Sequence, residues 1–203
     1  MKTKTKVIAL VALLGANFAA ATEPASSKPE YFIRPLVAYV KPTDGNSATG
    51  FGFAAGGSFG SQKEHEVSFE LTHAKWDESM TDPTVSVSGS LKYMPYLLSY
   101  RYYFGPEALK ARFYVGASAG FTSVDVSVQA VDSGATFSGS DTAWGSTLAG
   151  TIGVKVRLSE KADLDLGYRY QHTSGPTITL AGESIELDDL KVHVVYVGVG
   201  FRF

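Results

Sequence analysis

The chain closes on Tyr196-Val-Gly-Val-Gly-Phe-Arg-Phe203, with apolar side chains at every second position: Val195, Val197, Val199, Phe201 and Phe203. Between them stand Tyr196, Gly198, Gly200 and Arg202. A period of two belongs to a β-strand, here with one wholly apolar face and one that is small, polar or amphipathic. The same alternation runs from Tyr31 onward, interrupted by turn residues, and predicts eight strands. They cover residues 31–40, 50–60, 66–76, 91–104, 112–124, 143–158, 163–173 and 190–203. Each supplies the ~9–11 residues that a tilted strand uses to cross a bilayer.

The connections alternate as well. Residues 60–65, 105–111 and 159–162 are short, whereas 41–49, 77–90, 125–142 and 174–189 are longer and polar. Short turns at one end and long loops at the other is the pattern of an outer-membrane barrel, with the turns in the periplasm. The expected fold is therefore all-β: an eight-stranded, antiparallel, up-and-down transmembrane β-barrel with short periplasmic turns and long extracellular loops.

The two faces say which side is the lumen. One face carries Phe51, Phe53 and Phe59, then Val67, Phe69 and Leu71, then Trp144, Leu148 and Ile152. The other carries glycine, alanine, serine and threonine with scattered charges. An eight-stranded barrel has an interior just wide enough for side chains, so the small face is expected inside and the apolar face outside, in lipid. Both signs of charge fall on the inner face: Arg34, Arg101, Lys155, Arg157, Arg169 and Arg202 against Glu66, Glu70, Asp163 and Asp165. A charge in a narrow lumen is costly unless paired. The pattern thus predicts a polar network that plugs the lumen, with Glu70 facing Arg101. Aromatic residues sort into two expected girdles. Tyr100, Tyr102, Tyr103, Phe104, Phe113, Phe201 and Phe203 fall near the turn end, and Trp76, Trp144 and Tyr170 near the loop end.

The N-terminus supplies a compartment. Lys2, Lys4 and Lys6 precede an apolar run from Val7 to Leu14, and Ala19-Ala-Ala21 fits a small-x-small cleavage site. Residues 1–21 read as a signal peptide, 22–30 as a short leader and 31–203 as the barrel domain. The chain has no cysteine and a formal net charge of −2, so no disulfide framework and no basic field for nucleic acid are expected. Nothing in the residue pattern calls for a cofactor or a metal.

Specific segments carry a family resemblance. Leu164-Asp-Leu-Gly-Tyr-Arg-Tyr170 resembles the penultimate strand of the OmpA/OmpW/opacity-like outer-membrane barrels. Tyr96-Leu-Leu-Ser-Tyr-Arg-Tyr-Tyr-Phe104 and Phe113-Tyr-Val-Gly-Ala-Ser-Ala-Gly120 resemble their central hairpin. The resemblance implies export to the outer membrane as a monomer, with outer-membrane lipid and lipopolysaccharide around it. It also implies recognition of the last strand by the barrel assembly machinery, through Tyr196, Gly198, Phe201 and the terminal Phe203. It leaves a structural or surface-interaction role as the leading expectation, and a narrow channel for small apolar solutes as another.

One constellation suggests chemistry. His172 and Ser174 continue the outward register of Tyr168 and Tyr170, and Glu186, or alternatively Glu183, follows before the last strand. A serine, a histidine and a carboxylate form the nucleophile–base–orienter arrangement of acyl hydrolysis. The set resembles that of the lipid A 3-O-deacylases, which implies an ester-hydrolysing alternative for the same fold. Gly175 and Pro176 stand where those enzymes tend to have an asparagine.

Overall fold

Alternation in sequence becomes alternation in burial. Along β1 (Glu30–Pro42) every second side chain from Phe32 to Val40 is buried, and those between are exposed. The computed structural model describes residues 29–81, 85–132, 135–175, 177–180, 183–186 and 188–203. The expected signal segment 1–21 and most of the leader lie outside the described residues. After β1 come β2 (Ala48–Phe59), β3 (His65–Thr81), β4 (Val85–Tyr103), β5 (Ala111–Asp132), β6 (Ala135–Arg157), β7 (Ala162–Thr173), β8 (Thr177–Leu180), β9 (Glu183–Glu186) and β10 (Leu190–Arg202). Eight of these close into one barrel, ordered β1-β10-β7-β6-β5-β4-β3-β2, with every neighbouring pair antiparallel. The short β8 and β9 pair with each other between β7 and β10.

Closure satisfies the backbone at the seam. Phe203 N donates to Tyr31 O at 3.0 Å, and Tyr31 N to Phe203 O at 3.2 Å, so the terminal residue is bonded into the first strand. Closing a sheet removes the edges that lipid does not tolerate. The outer wall is apolar: Phe51, Phe69, Phe113, Phe121, Ile152 and Phe201 all point outward and are exposed. At the turn end Gly60 (φ 93°) and Gly105 (φ 80°) take left-handed backbone that favours glycine.

Four features differ from the sequence expectations. The first is at the loop end, where residues 77–90 and 125–142 are mostly strand. β3 and β4 remain paired out to Thr81 and Ser86, and β5 and β6 out to Asp132 and Ala135. Valine at 85 and 87, and at 124, 126 and 128, alternates with serine or aspartate, so the period of two continues; the polar residues mark strand in water rather than loop. Residues 174–189 likewise contain the β8–β9 hairpin.

The second concerns the girdles: Tyr103 and Trp76 belong to the inner face. Tyr103 is 1% exposed, and Trp76 packs against the inner cluster, its Nε1 donating to Asn46 O at 2.8 Å. Strand parity decides this, because both lie an even number of residues from buried Arg101 or Glu66 respectively, or from their own strand's inward set.

The third is that the lumen holds bulky residues. Phe32, Tyr93, Tyr103, Tyr114 and Tyr196 all point inward and are buried. Glycines opposite make the room. A side chain at Gly153 or Gly167 would run into the Tyr114 or Tyr196 ring and hydroxyl.

The fourth is that the loop-end half of the lumen is apolar, not small and charged. Leu36, Ala38, Val40, Ala74, Tyr93, Val124, Val192, Val194 and Tyr196 form one buried cluster there, with Trp76, Leu91 and Val126 against it. On β1 and β10 both faces are apolar, so alternation alone gave no contrast to read.

Candidate functional site

The inner face of the turn-end half is built by strand parity. Arg34 of β1, Glu66 and Glu70 of β3, Arg101 of β4, Lys155 of β6, and Asp165 and Arg169 of β7 project into one space. All but Lys155 are no more than 2% exposed. Arg34 grips Glu66 through both terminal nitrogens (3.2 and 3.1 Å) and reaches Asp165 at 2.9 Å. Arg101 donates to Asp165 at 2.6 Å and to Glu70 at 2.7 Å, with Glu66 at 3.7 Å. Arg169 pairs with the second oxygen of Glu70. Lys155 closes the set from the turn end, 2.6 Å from Glu66.

Tyrosine hydroxyls complete the shell. Tyr103 donates to Glu66 at 2.8 Å and Tyr114 to Asp165 at 2.6 Å, while Tyr114 and Tyr196 share a bond of 2.7 Å. Ring faces also meet cations: the Arg34 guanidinium lies 4.5 Å from the Phe32 centroid, and Lys155 Nζ 4.1 Å from that of Tyr103. Each carboxylate therefore has at least two charged partners, as a buried charge requires. The network spans the lumen from β1 to β7.

Two residues expected in this network sit below it. Arg157 is partly exposed and bonds to Glu107 O (2.7 Å) and Oε1 (3.3 Å) in the β4–β5 turn. Arg202 lies at the turn-end mouth, near Glu30 (3.4 Å), Asp163 (3.5 Å) and Ser159 O (3.1 Å). Above the network, Thr122, Thr147 and Thr173 join hydroxyl to hydroxyl at 2.6 and 2.9 Å, and Tyr93 donates to Gln171 at 3.3 Å. The apolar cluster follows. Sequence reading finds the charges but misses the tyrosines, whose signal was glycine at 153 and 167 on facing strands.

The expected hydrolytic residues lie on the outer wall at the loop end. His172 Nε2 is 3.3 Å from Asp189 Oδ2, a carboxylate that sequence reading did not single out. Ser174 Oγ lies 3.0 Å from Ser146 Oγ and accepts from Ser146 N at 3.0 Å. Glu183 and Glu186 stand on β9, and their side chains lie outside the described set. The described geometry thus gives His172 and Ser174 different partners.

Beyond the barrel, the extended β3–β6 strands form a four-stranded sheet. An open cleft of about 620 Å³ lies on it, lined by Ser79, Ser88, Ser90, Ser127, Ser138 and Ser140 with Asp77, Glu78 and Gln129. Asn46 from the β1–β2 loop reaches this rim and donates to Glu78 at 2.9 Å.

Known proteins share this architecture. Neisserial surface protein A superposes with a TM-score of 0.50 at 16% identity, over 87% of this chain and 98% of that one. Ail, the attachment invasion locus protein of Yersinia pestis, gives 0.51 at 16% identity, over 86% and 98%. A major outer membrane protein from Thermus thermophilus gives 0.50 at 10%, over 87% and 100%. These likenesses are of fold alone. A comparison with curated proteins yields no match. The family model described as outer membrane protein beta-barrel domain covers residues 8–203, and the chain belongs to that family.

Proposed function

We propose that the protein is a non-conducting barrel of the outer membrane whose projecting β3–β6 sheet is a contact surface outside the cell. The carrying observation is length. β5 and β6 have 22 and 23 residues, against 12 or 13 for β1, β2, β7 and β10. That excess of about ten residues is roughly 30 Å of strand. A membrane anchor needs no such extension. In the projecting part, β3 beyond Ala74 has β4 as its ladder partner, and β6 before Thr147 has β5. The β8–β9 hairpin lies against β6, so the β3 edge, beside a cleft of hydroxyls and carboxylates, is the one that suits an extended polypeptide that adds as a strand. The ionic plug supports the non-conducting half of the reading.

The test replaces residues 78–89 by a two-residue Asn-Gly turn and follows adhesion of cells that display the protein to epithelial monolayers. The shortened barrel should stay folded, shown by its heat-modifiable mobility, and lose the adhesion gained by the full protein. Equal adhesion by both forms overturns the reading. In planar bilayers, steady large openings contradict the plug. For the hydrolytic alternative, Ser174→Ala is the discriminating variant: the acyl pattern of lipid A should be the same with either form, and a difference would revive that chemistry.

A further inference from the structure

The outer wall at the loop end carries lysines that differ in how their charge is met. On β3, Lys75 Nζ lies 2.7 Å from Asp77. On β4, Lys92 stands opposite Asp125 on one side and Lys75 on the other in the ladder. On the seam between β1 and β10 the cross-strand partners are not acidic. Lys41 stands opposite His193, and Lys191 opposite His172. Both lysines are exposed, and neither is in an ion pair among the described residues. Asp189, just before β10 and two residues from Lys191, is engaged by His172 and by Gly175 N at 3.0 Å. Asp44 and Asp188 stand in the connecting loops.

His193 lies between the two lysines and is fixed at both nitrogens. Nδ1 lies 2.7 Å from Tyr168 OH and Nε2 3.4 Å from Thr43 Oγ1. Its ring also packs against Tyr170, at 5.3 Å between centroids. Immediately toward the turn end the wall becomes aromatic and aliphatic: Tyr39, Tyr168, Tyr170, Val195 and Val197 are all exposed. Rings of this kind mark the level where acyl chains give way to headgroups. Two ammonium groups and an oriented imidazole thus stand one step above the apolar wall, at headgroup height.

We propose that Lys41 and Lys191, set on either side of His193, bind the phosphorylated headgroup of a lipid in the outer leaflet. The phosphate accepts from the two ammonium groups, and the acyl chains lie along Tyr39, Val195 and Val197. A lysine at this depth reaches up from an apolar surface while keeping its charge in the polar layer. The site is separate from the projecting sheet and uses only the loop end's outward orientation.

Binding of bis-phosphorylated lipid A to the full folded barrel in maltoside micelles, read by native mass spectrometry, tests the site. The Lys41→Gln/Lys191→Gln double variant should bind about tenfold more weakly or worse, since each lysine near an anionic surface contributes substantially. Lys41→Arg/Lys191→Arg and Lys75→Gln should bind as the parent does. Lipid A stripped of its phosphates should bind the parent as weakly as intact lipid A binds the double variant. Inorganic phosphate should not displace the lipid. Unchanged binding by the folded double variant, equal binding of the stripped lipid, an equal loss in Lys75→Gln, or displacement by inorganic phosphate each overturns the proposal. The stripped-lipid arm needs no variant, so it stands even where a substitution impairs folding. Adhesion through the β3–β6 sheet should be the same in the double variant, which keeps this outcome apart from that of the proposed function.

Discussion

The two halves of the lumen are filled by opposite means. Toward the turns, Arg34, Arg101, Lys155 and Arg169 interlock with Glu66, Glu70 and Asp165, and tyrosine hydroxyls close the remaining bonds. Toward the loops, Leu36, Val40, Val124, Val192 and Val194 pack against the ring of Tyr93. Both halves fill the lumen with side chains. Their energetics differ. Ionic filling is directional: each group depends on specific partners, and losing one leaves the others uncompensated in a low-dielectric space. Apolar filling is non-directional and scales with buried area and lost volume. The contrast makes the turn end a rigid, register-specific lock and the loop end a seal that tolerates substitution of like size.

The largest expected effect is therefore in the ionic half. Arg101→Ala removes the one cation that Glu70 and Asp165 share within hydrogen-bond distance among the described residues, at a site 1% exposed. Breaking a buried pair from one side costs about 3–5 kcal/mol, read as a lower midpoint of urea unfolding in micelles. A loss below about 1 kcal/mol would mean that water reaches the network and that the lock is no stronger than a surface pair.

Leu36→Ala probes the seal and ranks next. Leu36 is 6% exposed and sits in the apolar cluster between Gly52 and Gly198 in the ladder. Truncating a buried leucine costs about 2–5 kcal/mol, set by how far the site collapses. Conductance in planar bilayers should stay at baseline, because the ionic half below remains closed. Steady current in Leu36→Ala would place the seal, rather than the lock, in control of the lumen.

Much of this division was legible in the chain, and the missing part has a physical cause. Charged residues at even spacing among glycine and threonine, as at Glu66, Glu70, Asp163, Asp165 and Arg169, have a single reading on a two-period strand. Phe201 and Phe203 likewise declare the outer wall. The seal was hidden because β1 reads Leu36-Val-Ala-Tyr-Val40 and β10 reads Val192-His-Val-Val-Tyr196. With apolar residues on both faces, period two carries no sign. Parity counted from Arg34 would have assigned Leu36, Ala38 and Val40 inward. The inward tyrosines were masked by their amphipathic chemistry, which suits a girdle equally well. The projecting hairpins read as loops because serine, glycine and charged residues dilute the apolar face by which strands are recognised.

The boundary between lock and seal supplies a third, smaller test. Gly167 lies beneath Tyr196 and Tyr114, whose hydroxyls link the two halves at 2.7 Å. Gly167→Ala adds one methyl where the Tyr196 ring end stands. Overpacking of this kind costs about 1–3 kcal/mol. The shift should also move Tyr114 from Asp165, so Tyr114→Phe in the same background should cost less than Tyr114→Phe alone. Full additivity of the two changes would show the halves to be independent.

Tyr93→Phe carries the smallest expected effect and the sharpest reading. The ring belongs to the seal, 1% exposed, while its hydroxyl donates to Gln171 at 3.3 Å, near the threonine layer that tops the lock. If the loop half is held by packing, deleting the hydroxyl leaves the ring in place and costs at most about 0.5–1.5 kcal/mol, the net worth of a hydrogen bond. Gln171 has a buried amide nitrogen without a partner among the described residues, so its side chain is free to turn and lessen even that loss. Unfolding midpoints of Tyr93→Phe and Leu36→Ala measured side by side decide the matter. A larger loss for the hydroxyl than for the leucine's methyl groups would make the loop half polar in its energetics, whatever its composition, and would dissolve the distinction between lock and seal.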